Sequence, residues 1–246
     1  EIKEHKGPDG VPLDGVPFHP HHTSKDLVGI IVFLMLFTGA VFFAPEMGGY
    51  FLEHANFEPA ERHRDQYADA DVKVPTSQAD TPENYQGKPM WVKNQRNSWH
   101  GVDFPYHSEL DVREYKRQYH RALSAVDESL GRVFAYLAAH GMAENTAIFL
   151  MGDNGFMFGE HGLIDKRNAY EESMRVPLLA YIPGAKQGHV VEEVAANLDI
   201  APTMVDLAGI VEMPSEFGGA SLLPLARGEE VSDWRDGLLY EYYWEF

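Results

Sequence analysis

The chain has 246 residues, with 20 Lys and Arg against 38 Asp and Glu and no cysteine. That length is enough for one or two domains with a sizeable core. The missing cysteines exclude disulfides, thiolate metal sites and a cysteine nucleophile, and a net charge of −18 argues against a broad electrostatic grip on nucleic acid or anionic lipid. With 44% hydrophobic and 24% charged residues the composition is that of a globular protein. The sequence opens at Glu1 rather than methionine, as a fragment or a processed product would.

In chain order, the first feature is an uncharged run from Leu27 to Ala44, LVGIIVFLMLFTGAVFFA. Its eighteen positions are just enough to cross a hydrocarbon core as a helix. Twelve of them are Leu, Ile, Val or Phe. These contribute roughly −4 to −7 kcal/mol toward insertion. A transmembrane helix over residues 27–44 is therefore expected; a buried helix or paired strands of a soluble core is the competing reading. Lys25 and Asp26 close one end and Pro45, Gly48 and Gly49 the other. The leader before the run is long, acidic and rich in Pro, Gly and His, unlike a secretory signal.

Residues 61 to 110 are polar and irregular and read as a structured loop region. A helix is expected over 111–140. Asp111 and Glu114 have capping-box spacing. Tyr115, Tyr119, Leu123, Val126, Leu130, Phe134 and Leu137 form one apolar stripe. Glu128 and Arg132 are placed to pair at i, i+4, and Gly141 stands where a helix C′ glycine belongs. Thr146 to Met151 reads as a buried strand, and Val176 to Ile182 as another. A helix from about Asp199 to Ala208 follows, with Pro202 in its first turn. Alternating helices and buried strands predict an α/β fold with a parallel or mixed sheet.

Chemistry concentrates in GDNGFMFGEHGLIDKRNAYEESMRVP, from Gly152 to Pro177. Asp153 and Asn154 follow directly on a strand, where α/β sheets bind ligands. Their carboxylate and amide oxygens suit calcium or magnesium. Taken alone, D-N-G is weak evidence and reads first as an ordinary Asx–Gly turn. Lys166 lies beyond a glycine-punctuated loop and could bring a point charge to an anionic substrate, or be a solvated lysine. His161 could donate to the same site, or be a structural loop histidine. Glu171, Glu172 and Arg175 read as an ion-pair cluster at a helix start.

These strings carry a resemblance. GDNG, FGEHG and DKRNAYEESMRVPLL resemble the C-terminal half of the sulfatases, in the alkaline-phosphatase superfamily. ERHRDQYAD near Glu61, QRNSWHG at Gln95 to Gly101, VDESLGRV at Val126 to Val133, NLDIAPTMVDLAG at Asn197 to Gly209 and LLYEYYWE at Leu238 to Glu245 are also similar to that family. The resemblance covers about residues 61–246. It implies a partial sulfatase-like α/β sheet with flanking helices and hydrolysis of sulfate esters. It implies calcium held by Asp153 and Asn154, Lys166 as the catalytic cation on the sulfate group, and His100 and His161 facing substrate. The implied partner is a sulfate-ester small molecule or carbohydrate, with no nucleic acid.

The sequence departs from that family in one decisive respect. It has no cysteine and no Ser-x-Pro-x-Arg, so the C/S-x-P-x-R motif that supplies the family's nucleophile is missing. The acidic pair that completes the metal site also has no counterpart. A half-site of this kind is expected not to turn over, because covalent catalysis needs the activated nucleophile and a metal site its full set of ligands.

Residues 1–60 resemble something else. VPFHPHHTSKDLVGIIVFLMLFTGAVFFAPEMGGYFLEHANFEPA is similar to the cytochrome b subunit of respiratory quinol–cytochrome c oxidoreductases, at the entry to its fifth membrane helix. The haem-bearing helices and the Pro-Glu-Trp-Tyr segment are missing, so neither haem nor a quinone site is expected. Two resemblances that meet near Glu58 to Arg62 imply a chimera of a cytochrome b fragment and a sulfatase fragment. The alternatives are a membrane-tethered, non-catalytic anion-binding module and a cytochrome b-type electron-transfer fragment. The membrane reading carries a location with it: residues 27–44 in the bilayer and the sulfatase-like part in the periplasm or outside the cell.

Overall fold

The computed structural model describes residues 29–36, 57–104, 111–210, 212–213 and 215–242, the first of these segments by its backbone. The regular elements are strands β1 (Gly29–Leu36), β2 (Thr146–Gly152) and β3 (Leu178–Tyr181) and helices α1 (Pro82–Tyr85), α2 (Met90–Gln95), α3 (Val112–Ala139), α4 (Glu171–Met174), α5 (Ile200–Leu207) and α6 (Leu223–Ala226). The sheet has the order β1-β2-β3. β1 runs parallel to β2, from Gly29 opposite Thr146 to Leu36 opposite Gly152, with a register irregularity between Val32 and Met35. β3 runs antiparallel to β2, with Leu150 opposite Leu179. The sheet is therefore mixed, one of the two forms expected.

The membrane helix expected over Leu27–Ala44 is not what the structure has there. Gly29–Leu36 is a strand, and the rest of that stretch lies outside the described residues. Ile30, Ile31, Val32 and Phe33 are the β-branched and aromatic types that fit a paired strand. An uncharged run can escape water by sheet pairing as well as by entering lipid, and periodicity does not separate the two. Among the described residues no helix is long and apolar enough to cross a membrane.

β2 organises the main core. Alternate residues share one face of a strand, and Ala147, Phe149 and Met151 pack with Ile182, Ile200, Leu222, Leu223 and Leu225. β3 differs from its expectation as a buried strand. Leu179 is 61% exposed and Ala180 and Tyr181 are exposed as well, so it forms the outer edge of the sheet.

α3 starts where the sequence places it. The Asp111 side chain accepts from the Arg113 backbone N–H at 2.9 Å. Glu114 does not complete a capping box; it takes Arg121 at 2.6 Å and Arg117 at 3.3 Å. Glu128 bonds Arg62 at 2.6 Å and His63 at 3.0 Å instead of Arg132, so α3 is tied to the segment at residues 61–63. The hydrogen bonds from Arg62 and His63 hold the Glu128 carboxyl below its ordinary range. Tyr115, Val126 and Leu137 of the apolar stripe are buried, whereas Phe134 is 46% exposed. Gly141 follows with φ of 66°, the left-handed form that ends a helix.

Candidate functional site

Asp153 and Asn154 stand at the carboxyl end of β2, both half-buried. The turn is pinned from three sides. Gly155 donates its N–H to the Ser173 carbonyl at 2.7 Å. A Cβ at Gly155 would collide with the Glu172 carbonyl, so only glycine permits this approach. From the third side, the Asn197 side-chain amide donates to the carbonyls of both Gly152 and Asp153, each at 3.0 Å. Within the turn the Asn154 N–H donates to Asp153 Oδ1 at 2.9 Å and Asn154 Nδ2 donates to the Gly155 carbonyl at 2.7 Å.

Asn197 owes its position to Asp199, two residues on. Asp199 is 0% exposed. Its carboxylate accepts from the backbone N–H groups of Ala196 at 2.8 Å and Ala220 at 2.9 Å. Arg235 grips it with two guanidinium nitrogens, each at 2.6 Å. Burial alone would push the carboxyl up, but Arg235 and the two backbone donors outweigh it and hold the group below its ordinary value. Arg235 is raised in turn by the same contact.

Beyond the turn the chain folds back on itself. Met157 N–H donates to the Asp165 carbonyl and Gly159 N–H to the Leu163 carbonyl, both at 2.8 Å. This loop pairs with residues 100–102: Ile164 N–H donates to the His100 carbonyl at 2.9 Å and Val102 N–H to the Gly162 carbonyl at 3.1 Å. Gly159 and Gly162 have φ of 100° and 78°, and a Cβ on either would press against Gln78 or Arg96. Arg96 is buried and braced by Asp103 and the Gln78 carbonyl. Burial lowers its pKa, yet Asp103 and Tyr85 leave it raised overall.

That pairing places His100, 3% exposed, with its Nδ1 against the Asp165 carboxylate. Arg167 contacts both: its Nη1 lies 3.4 Å from His100 Nδ1 and 3.2 Å from Asp165 Oδ1. The Arg167 guanidinium also stacks over the Trp99 ring at 4.5 Å. Lys166 is half-buried between Asp165 and Arg167.

His161 sits in a second cluster. Its φ of 59° is left-handed, a strained setting for a residue with a Cβ. The ring stacks on Tyr170 with centroids 3.8 Å apart and planes 16° from parallel. Nδ1 lies 3.0 Å from Lys88 Nζ and Nε2 3.5 Å from Glu172 Oε2. Burial pushes the Lys88 ammonium below its ordinary pKa, and Glu172 opposes that shift. The Tyr170 hydroxyl is pushed up by burial and by the Glu172 charge. Glu172, expected in an ion-pair cluster with Glu171 and Arg175, thus reaches His161.

The sequence singled out five residues at this site, and their neighbours carry as much of the geometry. Asp165 and Arg167 flank Lys166 in the string DKR. Asn197 and Asp199 lie in NLDIAPT, a string prominent for its resemblance alone. Lys88 comes from the irregular stretch before α2, where no pattern marks it.

As a cation site, Asp153 and Asn154 supply the right kind of atom, hard oxygen. They fall short in number, since calcium takes six to eight oxygens. Among the described residues no group of three or more His, Asp or Glu is disposed to hold an ion.

A buried strand that ends in a carboxylate–amide turn is the arrangement at which α/β sheets bind ligands, and it makes the carboxyl end of β2 the candidate site of this α/β fold. Residues 159–246 match the family N-sulphoglucosamine sulphohydrolase, C-terminal. An N-acetylglucosamine-6-O-sulfatase of Bacteroides thetaiotaomicron is 44% identical over 133 residues, 53% of this chain and 24% of that protein. The N-acetylglucosamine-6-sulfatase of Homo sapiens is 38% identical over 123 residues, 50% of this chain and 22% of that protein. Among solved structures, BT4656 in complex with its substrate D-glucosamine-2-N,6-O-disulfate matches with a TM-score of 0.60 and 30% identity, over 77% of this chain and 49% of that one. A phosphonate monoester hydrolase from Silicibacter pomeroyi matches with a TM-score of 0.63 and 26% identity, over 72% of this chain and 37% of that one. The matched part of the chain is similar to the C-terminal region of the sulfatases, in the alkaline-phosphatase superfamily. It spans about a quarter of the length of these curated relatives. Nothing in the comparisons supports the resemblance of residues 1–60 to cytochrome b.

Proposed function

We propose that residues 61–246 form the sulfate-side half of a sulfate-ester hydrolase site, specific for sulfated amino sugars, that binds its ligand without hydrolysing it. The observation that carries this reading is the pinned Asp153–Asn154 turn at the end of β2, in a chain similar to N-acetylglucosamine-6-sulfatases. Lys166 meets the sulfate group as a compact point charge. His100 and His161 face the sugar. Asp153 and Asn154 would hold a calcium ion, which supplies Lewis-acid stabilisation of the sulfate oxygens when it is bound. The Asn197 amide and the Asp199–Arg235 pair fix the turn that presents the two ligands.

Turnover requires a nucleophile, and the sequence has no C/S-x-P-x-R. The chain therefore releases no sulfate from an aryl sulfate above the buffer rate, and its calcium affinity is weak. Turnover that disappears on Lys166→Ala, or submicromolar calcium binding by calorimetry, contradicts this reading.

A further inference from the structure

The His161 cluster contains a constraint that the ring alone does not. An ammonium group has three donors and no acceptor. Lys88 Nζ donates one proton to Asn84 Oδ1 at 3.0 Å and stands 3.0 Å from His161 Nδ1. For that second contact to be a hydrogen bond, Nδ1 must accept. The ring proton is then on Nε2, the nitrogen that faces the Glu172 carboxylate at 3.5 Å, and a carboxylate can only accept. The two contacts agree on one assignment. Tyr170 stacks on the ring, and the backbone N–H of His161 donates to Ser77 Oγ at 3.1 Å, which fixes the residue beneath it.

We infer that Lys88 is a positioning residue that holds His161 as its neutral, Nε2-protonated tautomer, so that His161 meets a ligand as a hydrogen-bond donor and not as a proton acceptor. The ligand side of this statement rests on the reading that His161 faces substrate; the tautomer does not. A donor at this point suits a sulfate or sugar oxygen, which would take the place the Glu172 carboxylate holds. A general base at the same point would need a free nitrogen lone pair. Lys88 occupies that lone pair on Nδ1, and the other nitrogen already carries the proton.

The test is long-range proton–nitrogen NMR of the imidazoles in the ¹⁵N-labelled full chain at neutral pH. The chain has twelve histidines, so His161 is assigned by the signal lost in His161→Gln. The expected wild-type pattern is one unprotonated nitrogen, Nδ1, and one protonated nitrogen, Nε2. Lys88→Arg keeps a donor against Nδ1 and retains the pattern. Lys88→Glu replaces the donor with an acceptor, and the ring gains a proton on Nδ1. A wild-type ring protonated on Nδ1, alone or together with Nε2, overturns the proposal. So does a folded Lys88→Glu chain with the wild-type pattern. If Lys88→Glu does not fold, the wild-type and Lys88→Arg spectra decide. Failure of this test leaves the sulfate-binding reading standing, and failure to bind a sulfated sugar leaves the tautomer standing.

Discussion

Two segments carry the candidate residues, and they are held by different chemistry. The Asp153–Asn154 turn is fixed by neutral amide donors and, behind them, by the buried Asp199–Arg235 pair. The loop from Gly159 to Arg167 is fixed through histidines and their partners: His161 with Lys88 and Glu172, and His100 with Asp165 and Arg167. Partners that keep their charge or have none suit a group that must stay in place. Asp199 behind the turn is fully buried, whereas Glu172 beside His161 is 37% exposed, which makes the turn the rigid side of the site and the His161 end of the loop its adjustable side.

The largest effect should come from breaking the rigid side. Asp199→Ala leaves Arg235 and two backbone donors without their acceptor and should cost about 3–5 kcal/mol, measured by urea unfolding. The same carboxyl sets a pH dependence. Its folded pKa is depressed, so its contribution is complete above the unfolded value of about 3.9 and is lost as pH falls through the lower folded value. Asn197→Ala removes both donors to the Gly152 and Asp153 carbonyls and should cost about 1–3 kcal/mol. It should also speed hydrogen exchange at the Gly155 amide. Exchange as slow as in the wild type would mean that the turn does not depend on Asn197.

On the adjustable side, Glu172→Gln should change stability by no more than about 1 kcal/mol, because the Glu172 side chain is 37% exposed and solvent screens its charge. A loss as large as that of Asp199→Ala would erase the distinction between the loops. Away from both, Asp111→Ala removes the N-cap of α3 and should cost about 1 kcal/mol, which sets the scale for a single cap.

What the sequence made legible was local. β2 showed as a short apolar run stopped by Gly152, and α3 as a stripe with a capping aspartate and a terminal glycine. Asp153 and Asn154 fall at a strand end, but D-N-G alone reads as an ordinary turn, and the resemblance to sulfatases is what marked them. What stayed hidden depends on partners far away in the chain. Glu128 lies four residues before Arg132 yet pairs with Arg62 and His63. Val176 to Ile182 is apolar enough to be buried, but nothing in it reveals that β3 is an edge with Leu179 outward. Leu27–Ala44 favours a membrane helix over a paired strand until β2 appears beside Gly29–Leu36. Lys88 has no local signal at all; its role exists because the loop from Gly159 to Gly162 brings His161 onto it.

The most direct test of the site is an NMR titration of D-glucosamine-6-sulfate into the ¹⁵N-labelled chain with calcium present, alongside unsulfated glucosamine and the Lys166→Ala variant. The account predicts shifts concentrated on residues 153–167 with the sulfated sugar, none with the unsulfated one, and a marked loss of both shifts and affinity in Lys166→Ala. Equal responses to the two sugars, or shifts that survive Lys166→Ala unchanged, would contradict it.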